Sequence, residues 1–218
     1  MTQAHNIDCM EAMAGMKDNQ FSLALVDPEY GGNDAIGLID CKNINKQASK
    51  RTKYKVFKNI APSAEYFNEL KRVSKEQIIW GVNFYNNYDL SGGRLVWDKK
   101  GTAFGRAELA YLSMTKSVNI VELIWNGMIQ QDMKNKESRI HPTQKPVALY
   151  KWLLKNYAKE GDSILDTHLG GGSSRIAAHE MGFDFTGYEI DKDYFDAQEK
   201  RFNAHIQQQT MFNPNEMY

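Results

Sequence analysis

A carboxylate and an aromatic ring stand close together in one short stretch of the chain, Asp27-Pro28-Glu29-Tyr30. Such a pair can hold a flat ring that carries an amino group, because the ring stacks on Tyr30 while its amino hydrogens are donated to Asp27. Pro28 stiffens the stretch, and two glycines release the chain after it. An ordinary Asx-Pro turn with a surface tyrosine explains the same residues, and the stretch alone does not separate the two interpretations.

A second stretch, Asp166–Gly172, combines an acid with three consecutive glycines. Glycines let the backbone turn tightly and let a ligand approach the main chain closely. The spacing matches neither the dinucleotide fingerprint nor the P-loop, so both of those phosphate sites are disfavoured. Asp166 would repel a phosphate but suits an ammonium group or a cation. Glu189, roughly 20 residues after the turn, suits a ribose diol. A tight turn without a ligand is the alternative.

Both stretches follow runs that predict buried strands. Phe21–Val26 is nearly all apolar, as expected of a strand covered on both faces of a parallel sheet. The glycine stretch follows a strand at Ser163–Leu165, opens a helix at Arg175–Met181 and precedes a strand at Phe183–Tyr188. This order is typical of the nucleotide-binding half of a doubly wound sheet. Ligands bind beyond the carboxyl ends of the strands in such sheets, which is where Asp27 and Tyr30 are delivered.

The remaining pattern predicts an α/β fold, in which a doubly wound, mostly parallel sheet includes an antiparallel hairpin. Apolar residues at helical spacing predict helices at Pro62–Val73, after Pro146 and after Asp191. Further strands are predicted at His5–Cys9, Gln77–Trp80, Arg94–Lys99, Ala107–Thr115 and Val118–Trp125, the last two joined near Lys116-Ser117. We expect a single domain over residues 1–218 without internal repeats.

Composition fits one globular domain, with 218 residues of which 42% are hydrophobic. No apolar run approaches a membrane span and no basic-plus-apolar leader opens the sequence, so we expect a cytoplasmic protein. Cys9 and Cys41 stand in no metal-binding spacing, which predicts reduced thiols and no metal site.

Any contact with nucleic acid must rest on local clustering of charge, because Lys+Arg and Asp+Glu both number 27 and the net charge is zero. Residues 33–60 are predicted to form a basic loop insertion, since residues 41–60 contain six lysines and one arginine but no acid. We predict that this loop contacts phosphates through Lys46, Lys50, Arg51, Lys53 and Lys55. An ordinary solvated loop is the alternative. Residues 127–140 are predicted to form a short exposed loop, as a second surface for DNA.

In combination, these stretches resemble the S-adenosylmethionine-dependent DNA amino-methyltransferases, in the circularly permuted arrangement called the beta class. In that class the catalytic tetrapeptide precedes the glycine motif, as Asp27–Tyr30 precedes Asp166–Gly172 here. His141-Pro142-Thr143-Gln144-Lys145-Pro146 matches the family closely, and Ile79–Asn83 and Val96–Lys99 are also similar to family segments. The resemblance covers nearly the whole chain except residues 33–60. It is greatest for the compact adenine methyltransferases of phages and prophages.

The resemblance implies roles for individual residues. Asp27 and the carbonyl of Pro28 would accept hydrogen bonds from the target amino group, and Tyr30 would stack on the flipped base. The cofactor S-adenosyl-L-methionine would be held by Asp8 and Cys9 at its adenine, by Glu189 at its ribose, and by Thr143, Lys145, Asp166, His168, Gly170 and Gly172 at its methionine part.

Three positions depart from the usual pattern of that family. Glu29 replaces the second proline of the tetrapeptide, and His168 stands where phenylalanine is usual. Gly171 replaces a serine that is often seen in the glycine motif.

The resemblance implies methyl transfer to N6 of adenine in double-stranded DNA after base flipping, because a leading aspartate in the tetrapeptide favours adenine and a leading serine favours cytosine. Methylation of cytosine N4 is the alternative within the class. A catalytically impaired homologue that binds DNA or cofactor is the alternative outside it, because of Glu29. RNA or a protein glutamine as the methyl acceptor is a third alternative. We expect a monomer or homodimer in a bacterial host cell, with any restriction–modification partner on a separate chain.

Overall fold

A computed structural model describes residues 1–31, 60–86, 88–101, 105–126 and 128–211. In these ranges the predicted α/β fold is confirmed, since eight strands form one sheet with helices packed on both faces. The strands are β1 (Thr2–His5), β2 (Phe21–Val26), β3 (Ser74–Trp80), β4 (Gly93–Asp98), β5 (Ala107–Leu112), β6 (Val118–Glu122), β7 (Ser163–Asp166) and β8 (Asp184–Tyr188). The helices are α1 (Cys9–Ala14), α2 (Ala64–Val73), α3 (Val147–Tyr157), α4 (Ser173–Glu180) and α5 (Lys192–Met211), and a short 3-10 helix at Val82–Phe84 follows β3.

The strands lie side by side in the order β1-β8-β7-β2-β3-β5-β4-β6. β5 runs antiparallel to both of its neighbours, and the other neighbouring strands are parallel. The chain leaves β2 towards β3 on one side and leaves β7 towards β8 on the other. The boundary between β2 and β7 is therefore a topological switch point, where a crevice opens beyond the carboxyl ends of the strands.

Strand β6 does not pair with β5, which precedes it in the chain, but pairs in parallel with β4. The antiparallel hairpin of the fold is formed by β4 and β5. Gly93 at the start of β4 permits this arrangement, because the chain between β5 and β6 passes close to its backbone. The N–H of Gly93 donates to the carbonyl of Thr115 at 2.5 Å. A Cβ on Gly93 would come within 2.6 Å of the carbonyl oxygen of Ser117. The absence of a side chain on Gly93 thus lets the chain pass the start of β4 before β6 begins.

The prediction of a strand at His5–Cys9 is wrong. β1 ends at His5, which pairs with Tyr188 of β8. Asp8 accepts a hydrogen bond from the N–H of Met10 at 2.7 Å and thereby caps α1, which begins at Cys9. An aspartate whose oxygen satisfies a free N–H in the first helical turn favours a helix start over a strand.

Side chains of β2 alternate between two hydrophobic cores. Leu23 and Leu25 pack on the face covered by α3 and α4, and Ala24 and Val26 pack on the face covered by α1 and α2. This confirms the prediction of a strand buried on both faces. Close packing on both sides fixes the carboxyl end of β2 and the loop that begins there. No helix in the described ranges is long and apolar enough to cross a membrane.

Candidate active site

The two stretches singled out by the sequence leave the sheet at the same edge. β2 and β7 are parallel neighbours, with Leu23 opposite Ile164 and Ala24 opposite Leu165. Asp27 follows the last residue of β2, and Asp166 is the last residue of β7. The structure therefore brings the tetrapeptide loop and the glycine turn together at the switch point.

Asp27 makes a hydrogen bond or ion pair through each of its carboxylate oxygens. Oδ1 accepts from the hydroxyl of Tyr30 at 2.8 Å, and Oδ2 accepts from Nζ of Lys145 at 2.5 Å. Lys145 also lies 3.1 Å from Oε2 of Glu108, on β5. Burial raises the pKa of Asp27, the ammonium group of Lys145 opposes that rise, and the carboxylate of Glu108 adds to it. The result is an oriented carboxylate in a sheltered position, which suits an acceptor for an amino group.

Tyr30 is held by an aromatic contact and by a glycine. Its ring stacks on Phe84, with ring centroids 4.8 Å apart and planes 11° from parallel. Gly81 packs against the same ring in the left-handed conformation, at φ +77°. A Cβ on Gly81 would come within 2.2 Å of Cε1 of Tyr30, so only glycine fits there. Phe84 keeps 40% of its surface exposed, which leaves an aromatic face available to a flat ligand.

Pro28 lies at the buried bottom of the tetrapeptide loop. Its carbonyl oxygen accepts a hydrogen bond from the hydroxyl of Tyr85 at 3.1 Å. A carbonyl oxygen has two lone pairs, so one remains for a second donor. Burial raises the pKa of Tyr85, helped by the carboxylates of Asp27 and Glu29, and this keeps the hydroxyl a donor.

The glycine turn is connected to Glu189, the acid at the end of β8. Gly170 and Gly172 adopt the left-handed conformation, at φ +50° and +72°. The N–H of Gly170 donates to Oε2 of Glu189 at 2.8 Å, and the N–H of Asp191 donates to Oε1 at 2.9 Å. Burial raises the pKa of Glu189. The predicted ribose acid thus lies directly at the turn.

Asp166 is buried beneath the turn and holds it to α4. Its Oδ2 accepts from the hydroxyl of Ser174 at 2.5 Å, and its Oδ1 accepts from the N–H of His168 at 3.0 Å. Burial raises the pKa of Asp166 to about 6. Both hydrogen bonds favour the ionised form and oppose that rise.

His168 connects the glycine turn to the tetrapeptide loop. Its Nε2 lies 3.3 Å from Oε2 of Glu29, and its Nδ1 lies 2.9 Å from the hydroxyl of Thr167. Burial opposes a charge on His168, but the hydrogen bond and the charge of Glu29 outweigh it and raise its pKa. Burial likewise opposes the charge of Glu29, whose pKa is nevertheless lowered by His168. His168 and Glu29 therefore contact each other across the crevice and form an ion pair when His168 is protonated.

Thr143 and Lys145 occupy different environments, although the same part of the cofactor was expected to lie against both. Thr143 is exposed and its hydroxyl lies 3.1 Å from Nδ1 of His141. His141 packs on the glycine turn, because a Cβ on Gly170 would lie 3.4 Å from its Nδ1. Thr143 is therefore beside the turn, whereas the amine of Lys145 points to Asp27.

Asp8 and Cys9 lie at the start of α1, next to the end of β8. The side chain of Asn6 donates to the carbonyls of Glu189 and Ile190 at 2.7 and 3.1 Å, which joins this segment to the end of β8. Burial raises the pKa of the Cys9 thiol to about 12, and the carboxylates of Asp8 and Glu29 contribute. A thiol of this kind is unreactive, so a contribution through its backbone is the one that fits.

The two predicted DNA surfaces differ in what can be described. Lys46, Lys50, Arg51, Lys53 and Lys55 lie outside the described residues. In the loop at residues 128–140, Glu137 accepts from the N–H of Val147 at 3.0 Å and pairs with Arg201 at 2.8 Å. Gln130 is buried there, while Lys134 and Lys136 are exposed. The loop is therefore anchored to α3 and α5 and presents lysines outward.

Three residues of the site were not predicted from the sequence as site residues. Phe84 was visible as part of an aromatic-rich loop after a strand. Glu108 and Lys99 form an ion pair beside Lys145, but Glu108 comes from β5 and Lys99 directly follows β4. No local pattern marks them, because the antiparallel insertion of β5 next to β3 carries Glu108 to the site.

Residues 41–200 match the family model of the N6/N4 DNA methylases. The chain belongs to this family of S-adenosylmethionine-dependent DNA methyltransferases. The match spans the glycine turn, Glu189 and the segment around Lys145, and begins after the tetrapeptide.

Curated relatives match part of the chain. The chain is 29% identical to the type II methyltransferase M2.DpnII of Streptococcus pneumoniae over 113 residues, which cover 50% of this chain and 41% of that protein. It is 31% identical to the type II methyltransferase M2.LlaDCHI of Lactococcus lactis subsp. cremoris over 80 residues, which cover 37% of this chain and 29% of that protein. The matches thus span less than half the length of either relative.

Solved structures share the fold over most of both chains. The complex of TTHA0409 from Thermus thermophilus, described as a candidate DNA modification methylase, with S-adenosyl-L-methionine has a TM-score of 0.57 at 15% identity, and covers 94% of this chain and 95% of that one. The PvuII DNA methyltransferase, which is cytosine-N4-specific, has a TM-score of 0.58 at 12% identity, and covers 92% and 87%. At these identities the likeness shows the fold alone.

Proposed function

We propose that this protein transfers a methyl group from S-adenosyl-L-methionine to the N6 amino group of an adenine that is flipped out of double-stranded DNA. The observation that carries the proposal is the adjacency of Asp27 and the glycine turn at the switch point between β2 and β7. Asp27, which would accept hydrogen bonds from the target amino group, and the glycine turn, which would hold the cofactor, face one crevice. Direct transfer between two bound molecules requires such an arrangement.

The residues at the turn fit the cofactor. Gly170 and Gly172 present backbone without side chains, and Glu189 retains lone pairs for the ribose hydroxyls beyond the two N–H groups that it accepts. Asp8 and the backbone of Cys9 would reach the adenine, since their segment is joined to the carboxyl end of β8. Asp166, His168 and Thr143 would line the methionine part, whose ammonium group suits the carboxylate.

When bound, the cofactor supplies an activated methyl group on a sulfonium sulfur that leaves as a neutral thioether. Asp27 and the carbonyl of Pro28 accept hydrogen bonds from the two hydrogens of the target amino group, which favours a localised lone pair on its nitrogen. Asp27 then takes the proton that the methylated nitrogen loses. Its burial favours this step, because burial raises its pKa. Positioning by these groups supplies much of the acceleration.

The aromatic side chains offset the cost of removing a base from the helix stack, which is about a few kcal/mol. Tyr30 and Phe84 already stack in parallel, and a flipped base would take its place against this pair. Lys46, Lys50, Arg51, Lys53 and Lys55 would contact the phosphates on either side of the flipped nucleotide.

The leading residue of the tetrapeptide supports adenine as the target, because Asp27 stands where the cytosine enzymes have serine. Methylation of cytosine N4 is the second candidate, since the fold is shared with a cytosine-N4-specific enzyme. The order of the two stretches along the chain supports membership of the permuted beta class. The phage origin, the restriction–modification role and the oligomeric state stay predictions from the sequence.

The test is methyl transfer from labelled S-adenosyl-L-methionine to unmethylated genomic DNA, with the modified base identified by mass spectrometry. N6-methyladenine supports the proposal and shows that Glu29 is tolerated. N4-methylcytosine would overturn the assignment of the base. Cofactor binding without transfer to any duplex would overturn catalysis on DNA and favour the impaired homologue or an RNA substrate.

A further inference from the structure

Lys145 is enclosed by oxygen atoms of the tetrapeptide loop and of β5. Its Nζ lies 2.5 Å from Oδ2 of Asp27, 3.1 Å from Oε2 of Glu108 and 3.0 Å from the hydroxyl of Tyr30. The side chain is 3% exposed. An ammonium group has three hydrogens to donate, and these three oxygens match them. In this arrangement Lys145 has no donor left for a carboxylate at the glycine turn.

Glu108 and Lys99 complete a balanced group of four charges. Lys99 pairs with Oε1 of Glu108, while Lys145 pairs with Oε2 and with Asp27. Burial raises the pKa of Glu108, but the ammonium groups of Lys145 and Lys99 outweigh it and hold that pKa at about 2. Two cations and two carboxylates therefore share a sheltered space, and removal of one leaves a charge uncompensated.

We propose that Lys145 and Glu108 are positioning residues of the methyl transfer, in which Lys145 holds Asp27 negatively charged and correctly oriented and Glu108 fixes Lys145 in that place. This inference rests on the proposed function and deepens it. Lys145 occupies one oxygen of Asp27 and the hydroxyl of Tyr30 occupies the other. Both contacts leave lone pairs on the carboxylate for the amino group of the base.

The charge of Asp27 matters because a buried carboxyl group without a cation takes up a proton. A protonated Asp27 would have an O–H that donates, and it could not take the proton that leaves the methylated nitrogen. Lys145 opposes this protonation through the ion pair. Glu108 acts at a distance from the base, since its contacts are with Lys145, Lys99 and, at 3.4 Å, the hydroxyl of Tyr30.

The inference differs in its consequences from the cofactor role that the family resemblance gives to Lys145. Replacement of a residue that binds the cofactor changes the affinity for S-adenosyl-L-methionine, whereas replacement of a positioning residue changes the rate of transfer once both substrates are bound. It also differs from a merely structural role, which would lower the rate equally at every pH.

The experiment compares Lys145→Met and Glu108→Gln with two controls from surface ion pairs, Lys151→Met and Glu122→Gln. Lys151 pairs with Glu180, and Glu122 pairs with Lys100 at 2.6 Å, and neither contact includes Asp27, Glu108 or Lys145. Single-turnover methyl transfer to DNA is measured at saturating substrates, and the Kd for S-adenosyl-L-methionine is measured by calorimetry. Circular dichroism establishes that each variant is folded.

We expect Lys145→Met to slow transfer by about 100-fold, as misplacement of a reacting group does, with the cofactor Kd changed by less than about threefold. Glu108→Gln keeps an acceptor but loses its charge, so we expect a roughly tenfold loss. The acidic limb of the pH–rate profile should move to higher pH by at least about one unit in Lys145→Met, and to lower pH in Glu108→Gln, because the negative charge of Glu108 raises the pKa of Asp27. A cofactor Kd raised more than about tenfold with an unshifted limb would overturn the inference.

A second readout does not depend on turnover. The carboxyl carbon of Asp27 is titrated by NMR in protein labelled at aspartate, and Asp27→Asn identifies its signal. We expect the Asp27 midpoint to rise in Lys145→Met, to fall in Glu108→Gln because the negative charge of Glu108 raises the pKa of Asp27, and to stay unchanged in both controls. If the wild-type protein transfers no methyl group, the proposed function fails, and this titration still decides whether Lys145 keeps Asp27 charged. An unchanged midpoint in Lys145→Met would overturn the inference.

Discussion

Glu29 and His168 contact each other across the crevice, with 3.3 Å between Oε2 of the acid and Nε2 of the imidazole, and form an ion pair when His168 is protonated. Each residue stands at a position where this chain departs from the usual pattern of the family that it resembles. The structure shows that the two departures contact each other. The pair ties the loop that carries Asp27 to the turn that carries Gly170, so the two unusual residues act as one link.

This link should depend on pH. Glu29 has a lowered pKa, so its contribution to stability is fully present above its ordinary pKa of 4.5 and is lost as pH falls through the lowered value. His168 has a raised pKa, so its contribution is fully present below its ordinary pKa of 6.5 and is lost as pH rises through the raised value. We expect the Tm difference between the wild type and His168→Phe to be larger at pH 6 than at pH 9. Equal differences at both pH values would show that the pair is not charged.

A double-mutant cycle should detect the same pair as a coupling energy. Glu29→Gln and His168→Phe each remove the ion pair, so the double variant should lose less stability than the sum of the two single losses. At pH 6 we expect a coupling of about 1 kcal/mol, as is common for residues in contact. Denaturant unfolding measures it. Additive losses would mean that the contact contributes nothing.

Gly81 should be intolerant of a side chain because of Tyr30. Gly81→Ala places a Cβ within 2.2 Å of the Tyr30 ring, in addition to the strain of a positive φ. Gly182→Ala is the matched control, since Gly182 has the same φ of +77° and a Cβ added there would meet nothing within 4 Å. Backbone strain alone costs about 1 kcal/mol.

We therefore expect Gly182→Ala to lose about that amount in denaturant unfolding, and Gly81→Ala to lose more. Gly81→Ala should also slow methyl transfer, because Tyr30 must shift away from Phe84. Two variants that lose equal stability and retain equal activity would contradict the placement of Tyr30.

The basic loop should contribute phosphate contacts. Replacement of Lys50, Arg51 and Lys53 by glutamine should weaken DNA binding and lower the slope of log K against log salt by about 2 to 3, if each residue contacts one phosphate. Lys75, Lys155 and Lys159 are suitable controls, because they lie near the amino ends of β3 and β7, opposite the crevice. Fluorescence anisotropy over a range of salt concentrations gives the slope. An unchanged slope would remove the loop from the DNA interface.

Much of the site could be predicted because it depends on local signals. The strand at Phe21–Val26 and the glycine turn are marked by apolar runs and by glycines, and the rule on carboxyl ends then places Asp27 and Glu189 correctly. The position of β6 could not be predicted in this way, because it depends on how closely the chain passes Gly93.

The environment of Lys145 could not be predicted from the sequence either. Its partner Glu108 belongs to a strand inserted antiparallel between β3 and β4, and such long-range pairing leaves no local pattern. Similarly, the ion pair of Glu29 with His168 joins residues from two loops that only the neighbouring positions of β2 and β7 bring together.

The most direct test of this account is the single-turnover rate of methyl transfer to DNA by Asp27→Asn, with Asp196→Asn on α5 as the control. We expect a loss of at least about 1,000-fold in Asp27→Asn, which is about 4 kcal/mol of transition-state stabilisation, and a cofactor Kd within about threefold of the wild type. The control should transfer methyl groups at the wild-type rate. Wild-type turnover in Asp27→Asn would contradict the account, because the carboxylate would then have no part in the reaction.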